Sequence, residues 1–188
     1  MKLFPLFLFF LICYGCGTRE PDSKLFPFEE SYLPTSNLTH SERQELASAK
    51  GRKVPSVSVG HLQSMLERAD KGLHVYSFYT LDCEACLETN MHLNHIETEL
   101  KASELKIFYV NLDNPLENDA VVDYVRSRGI TGWVFQLRTT DGWREELALD
   151  WNGTLPAVLL VNSELDVRQL FQQAFDYGEL YALMQPYL

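Results

Sequence analysis

The sequence predicts an α/β fold, a central mixed sheet with helices on both faces. Three observations carry that prediction. Short runs rich in Val, Ile, Phe and Tyr alternate with stretches whose apolar residues recur every three to four positions. The runs follow the order β-α-β-α-β-α-β-α-β-β-α, which suits helices laid on either side of one sheet. The chain has 188 residues, 46% of them hydrophobic and 11 of them Phe. That is enough apolar side chain for the core of one domain of ordinary size, with some sequence left over.

Taken in order, Val54–Ser58 alternates apolar and polar residues and predicts a short edge strand. A helix over Gly60–Lys71 would place Leu62, Met65, Leu66 and Ala69 on one face, with Gly72 ending it. His74–Thr80 reads as a buried strand. A long helix from Cys83 to about Ala102 aligns Cys86, Thr89, Leu93, Ile96 and Leu100 in a stripe facing the sheet. Leu105–Leu112 is a second buried strand. Asn114-Pro115 then caps a helix that carries Val121, Val122 and Val125 and stops at Gly129. Trp133–Leu137 is a third strand, and Asp141 is expected to cap a short helix running to about Leu149. Leu155-Pro156 leads into a strand at Ala157–Val161, a turn at Asn162–Leu165, and a last strand near Val167–Gln172. A helix over Tyr177–Leu188, with Leu180, Leu183 and Met184 inward, closes the domain.

Residues 1–15 read as an export signal of lipoprotein type. Lys2 is a one-charge n-region, the apolar run Leu3–Ile12 is too short to span a bilayer comfortably, and Gly15 supplies the small residue before a cleavage point. Cys13-Tyr14-Gly15-Cys16 is similar to a bacterial lipoprotein box, with Cys16 the residue to be lipidated; plain secretion and an uncleaved anchor are the alternatives. Residues 16–53, with Pro21, Pro27 and Pro34, read as a tether and variable extension, and a short helix over Ser41–Ala49 fits within it. Residues 54–188 are the folded domain. The formal net charge of −10 argues against nucleic acid as a partner, since phosphate backbones select basic patches.

That export reading sharpens the cysteine arithmetic. The chain has 4 Cys. With Cys13 removed and Cys16 acylated, Cys83 and Cys86 remain, in a compartment that permits disulfides. A pair spaced Cys-x-x-Cys either closes a disulfide or contributes to a metal site. The chain has no second such pair and no His-x-x-x-His to complete a four-ligand zinc site. At the start of a helix, free amides and the helix dipole favour a thiolate on the first cysteine. The second cysteine, one turn on, is placed to resolve a mixed disulfide.

The segment Phe78-Tyr79-Thr80-Leu81-Asp82-Cys83-Glu84-Ala85-Cys86, together with Leu155-Pro156-Ala157-Val158-Leu159-Leu160-Val161, resembles the thioredoxin superfamily. Within it, the chain is similar to the TlpA/ResA-like membrane-tethered disulfide reductases. The resemblance covers residues 72 to 187 and includes an added strand and helix over Trp133–Asp150. It implies a thioredoxin-like three-layer fold and a thiol–disulfide oxidoreductase. It makes Cys83 the nucleophile and Cys86 the resolving residue, disulfide-bonded to each other when oxidised. Leu155, cis-Pro156, Asp82 and Glu84 would shape the substrate groove. The partners implied are protein thiols and disulfides, an upstream membrane electron donor, and the membrane itself through the lipid anchor. No cofactor is needed, because the cysteines carry the electrons. The expected location is the bacterial cell envelope, facing the periplasm or otherwise extracytoplasmic.

Three positions depart from the family's pattern. Asp82 replaces the aromatic residue before the first cysteine, Thr89 stands where a Glu is frequent, and Ser77 stands where thioredoxins hold a buried Asp. Asp82 and Glu84 flank Cys83 with negative charge, which opposes its thiolate and favours a reducing pair. The competing readings are a binding or adaptor protein whose Cys83–Cys86 disulfide is structural, and a metal carrier using the cysteines with His92 or His95. Glu88, His92 and His95 share a helix face, the pattern of a weak metal site or of a solvated surface. Trp133, Trp143 and Trp151 are candidates for a surface near Pro156 or for core packing.

Overall fold

The computed structural model describes residues 54–69, 71–100, 104–147 and 150–188. The export signal, Cys16, the tether and the helix over Ser41–Ala49 lie outside the described residues.

Six strands form one mixed sheet: β1 (Ser56–Ser58), β2 (Leu73–Tyr79), β3 (Leu105–Asn111), β4 (Trp133–Arg138), β5 (Ala157–Asn162) and β6 (Val167–Phe171). Their spatial order is β1-β4-β3-β2-β5-β6. The first four run parallel; β5 is antiparallel to β2 and β6 antiparallel to β5. The α-helices among the described residues are α1 (Val59–Glu67), α2 (Glu84–Leu100), α3 (Asn118–Arg128), α4 (Trp143–Glu146) and α5 (Tyr177–Met184); the first four link successive strands and α5 follows β6. The element order read from the sequence is the one found. The strand and helix of the 133–150 stretch are β4, which slots between β1 and β3, and α4.

β2 is buried at every residue, so its alternation feeds two cores. Leu73, Val75 and Tyr79 join Cys86, Leu93 and Ile96 of α2, Val121 and Val125 of α3, and Leu180 and Met184 of α5. Tyr76 and Phe78 turn the other way, to Leu62, Met65 and Leu66 of α1 and to Trp143 and Trp151. This is the pattern of a strand covered on both faces. α2, α3 and α5 thus cover one face, and α1 and α4 cover the other.

Three local expectations change. α1 ends at Glu67, before Gly72. Gly72 instead opens β2 with φ +92°, and a Cβ there would lie 2.0 Å from the Glu104 carbonyl oxygen. Leu73 N–H donates to that same oxygen at 2.8 Å. The glycine therefore answers a close backbone approach rather than a helix end. Asp141 does not cap α4: Gly142 occupies the cap position and no side chain bonds the helix start. α5 is shorter than the predicted span because Pro186 turns Gln185–Tyr187 into a 3₁₀ turn. Its start is a full capping box, Asp176 Oδ1 accepting from Glu179 N–H while Glu179 accepts from Asp176 N–H.

Candidate active site at the Cys83–Cys86 disulfide

Cys83 and Cys86 sit where β2 hands over to α2. The loop between them is fixed from the neighbouring strand. Leu81 N–H donates to Asp113 Oδ2 at 2.9 Å, and Asn111 Nδ2 donates to the same oxygen at 2.7 Å. Leu112 N–H donates to the Tyr79 carbonyl, extending the β2–β3 ladder into the loop. No local sequence pattern marks Asp113 or Asn111. Their role arises only once the β2–β3 register sets Asn111 beside Tyr79.

The two sulfurs form a disulfide, S–S 2.05 Å with the Cα atoms 5.2 Å apart. The pair is asymmetric: Cys83 is half-buried, while Cys86 is wholly enclosed in the core beneath α2. Cys83 takes the helix-capping role. Its carbonyl accepts from Cys86 N–H at 3.0 Å and Leu87 N–H at 3.1 Å, and its Sγ lies 3.2 Å from Cys86 N, which donates to it. An amide at a helix start is therefore aimed at the reachable sulfur, where it would stabilise a thiolate.

A neutral polar pair is buried close to Cys86. Ser77 Oγ donates to Asn90 Oδ1 at 2.6 Å, and both residues are fully buried. Asn90 lies one turn after Cys86 on the same face of α2. Glu88 is exposed, as its helical phase predicts, and is not part of this layer. Tyr79 and Tyr124 stack obliquely, ring centroids 5.7 Å apart, and burial pushes both phenols upward in pKa. Burial does the same to Tyr109, whose ring carries Glu97 beside it.

The Leu155–Pro156 peptide bond is cis. Ala157 pairs with Phe78, so the β2–β5 register brings Pro156 opposite Tyr79, at the same end of the sheet as Cys83. Leu155 is half-buried and packs against both cores, while Thr154 is exposed beside it. Asp82 and Glu84 are exposed on either side of Cys83.

The remaining candidates separate. Among the described residues no three His, Cys, Asp or Glu side chains converge as a metal site. His95 instead lies 3.3 Å from Glu99, which also accepts from Tyr177 Oη. Trp143 and Trp151 are buried edge-to-face, 5.0 Å apart, and Trp151 tilts against Phe78. Trp133 is half-buried and stacks on Phe108. No helix among the described residues is long and apolar enough to cross a membrane.

No family model and no curated protein sequence matches the chain. Solved structures do. A thioredoxin-related protein from Neisseria meningitidis serogroup B superposes with TM-score 0.54 at 11% identity, over 64% of this chain and 88% of that one. A thiol:disulfide interchange protein of the thioredoxin family from Chlorobium tepidum TLS gives 0.52 at 12%, over 62% and 79%. A DsbF homologue from Corynebacterium diphtheriae gives 0.52 at 14%, over 64% and 75%. At these identities the likeness is one of architecture. The chain has the thioredoxin-like fold.

Proposed function

We propose that the protein is a thiol–disulfide oxidoreductase of the cell envelope that acts as a reductant toward protein disulfides. The carrying observation is the asymmetry of the cysteine pair: a reachable Cys83 sulfur receiving a helix-start amide, and an enclosed Cys86 one turn behind it. Similarity of fold to proteins described as thiol:disulfide interchange and thioredoxin-related proteins supports the reading.

In the reduced protein the Cys83 thiolate attacks a substrate disulfide. One substrate sulfur leaves as a thiolate and takes up a proton, and the other stays bonded to Cys83. Cys86 then gives up its proton and attacks Cys83 Sγ, releasing the second substrate thiol and closing the disulfide. Two electrons pass from the dithiol to the substrate. Pro156 shapes the groove, and the backbone of Leu155 pairs with the bound segment. The acidic flank of Asp82 and Glu84 disfavours the thiolate and so biases the pair toward reducing others. A reductant in such a compartment needs resupply, which we assign to a membrane electron donor. Anchoring through Cys16 would hold the domain near it.

Reduction of insulin disulfides by a dithiol-recycled enzyme tests the activity. Wild type should accelerate precipitation, whereas Cys83→Ser should match the rate without protein. Equal rates for the two would instead favour an adaptor with a structural disulfide. Equilibration with glutathione tests the direction, and a strongly oxidising potential would reverse the assignment as a reductant.

A further inference from the structure

Arg144 occupies an unusual place beside this site. Its guanidinium Cζ lies 5.2 Å from the Trp143 ring centroid and 5.8 Å from that of Trp151. The two indoles are themselves fixed: they meet edge-to-face, and Trp151 Nε1 donates to the Thr154 carbonyl at 2.9 Å. The guanidinium also lies over Gly153, where an added Cβ would sit 3.3 Å from Cζ and 3.4 Å from Nη2. So the cation is held, by stacking, against the backbone that runs directly into Leu155-Pro156.

Topology places it at the reacting end of the sheet. β4 runs parallel to β3 and β2, and α4 follows its C-terminal end. Cys83 follows the C-terminal end of β2. Arg144 and Cys83 therefore flank the Thr154–Pro156 segment from the two faces of the sheet, with Leu155 contacting both cores between them.

Among the described residues Arg144 has no carboxylate partner. None of the ion pairs among the described residues includes it. Its Nε is buried without an acceptor among the described protein groups. Glu145 and Glu146 are adjacent in sequence but exposed on the short helix and unpaired with it. A guanidinium presents five donors in a planar fork suited to a carboxylate, and stacking on aromatic faces leaves that fork in place.

We propose that Arg144 sets substrate specificity, its guanidinium receiving a carboxylate of the polypeptide that lies along Thr154–Pro156. This rests on the oxidoreductase reading and names the substrate class within it: a disulfide whose flanking segment carries an Asp, a Glu or a terminal carboxylate. Arg144 acts by binding and takes no part in the electron transfer. The opposite charges at the two ends of the groove, Arg144 on one side and Asp82 and Glu84 on the other, would also fix the direction in which a substrate strand lies.

The test uses three disulfide-bonded peptides that differ only in a Glu, Gln or Lys beside the cysteine. Rates of exchange are measured with reduced wild type, Arg144→Gln and Arg144→Lys. Wild type should prefer the Glu peptide over the Gln peptide by about fivefold at low ionic strength, the preference shrinking as salt is added. Arg144→Gln should bring the Glu/Gln ratio near one. Arg144→Lys, which keeps charge but not the fork, should give an intermediate ratio. The near-ultraviolet signal of Trp143 and Trp151 checks that each variant is folded; should Arg144→Gln fail to fold, the Arg144→Lys ratio and the salt dependence decide. A wild-type ratio of one, a preference for the Lys peptide, or a ratio unchanged in Arg144→Gln overturns the inference alone. No exchange with any peptide overturns the oxidoreductase reading and this inference with it.

Discussion

Glu97 shows most directly how a single environment sets a measurable property. It sits on α2 over β3, against the Tyr109 ring and beneath Gly132, and accepts from Thr131 Oγ1 at 3.3 Å. Burial pushes its carboxyl from 4.5 up to about 7, with the Thr131 hydroxyl offsetting part of the rise. An acid whose folded pKa exceeds its unfolded value binds more protons when folded. Its contribution is fully present below pH 4.5 and is lost as pH rises through 7. Glu97→Gln should therefore raise stability at pH 8 by about 1–3 kcal/mol and flatten the decline between pH 4.5 and 7. Denaturant unfolding at several pH values measures both. Asp113 makes the opposite kind of prediction. Asp113→Ala leaves Leu81 N–H and the Asn111 amide without their acceptor, and should cost about 1–3 kcal/mol. Because the lost bonds hold the loop before Cys83, the variant should also slow insulin reduction.

At the scale of elements, β2 and its entry glycine carry the fold. Gly72→Ala places a Cβ against the Glu104 carbonyl at a φ that L-residues rarely adopt. It should destabilise by at least about 1–3 kcal/mol, read as a lowered Tm in a thermal melt. The elements themselves were legible in the sequence because each carries its own signal. The β2 segment is a run of Val, Tyr and Phe, the α2 stripe from Cys86 to Ile96 has helical spacing, and Asn114-Pro115 and Gly129 bracket α3. Boundaries were less legible. The last turn of α1 and the cap of α4 depend on tertiary contacts that no local pattern encodes. The site divides the same way. Cys83, Cys86 and Pro156 announce themselves by motif. Asp113, Asn90 and Arg144 gain meaning only when the register, the helix and the packed indoles bring them to Leu81, to Ser77 and to Gly153.

Across the whole molecule, the disulfide is a small contributor to stability. It joins residues separated by 3 in sequence. Closing so short a loop removes only about 2 kcal/mol worth of denatured-state entropy. The two cores instead rest on apolar burial over both faces of the sheet, from Leu73 and Leu93 on one side to Leu62 and Phe78 on the other. Reduced protein should therefore stay folded, losing about 2 kcal/mol or less in denaturant titrations. The proposed exchange, in which the pair opens and closes in each turnover, requires that independence. A collapse of the fold on reduction would mark the pair as a structural staple.

In the proposed mechanism Cys83 attacks and Cys86 resolves. Mass mapping of mixed disulfides tests it most directly, after incubating each single-cysteine variant, Cys86→Ser and Cys83→Ser, with a disulfide-bonded peptide. Cys86→Ser should accumulate a stable adduct on Cys83, and Cys83→Ser should accumulate almost none, because Cys86 is enclosed. Equal adduct on both cysteines, or an adduct on Cys86 alone, would contradict the account.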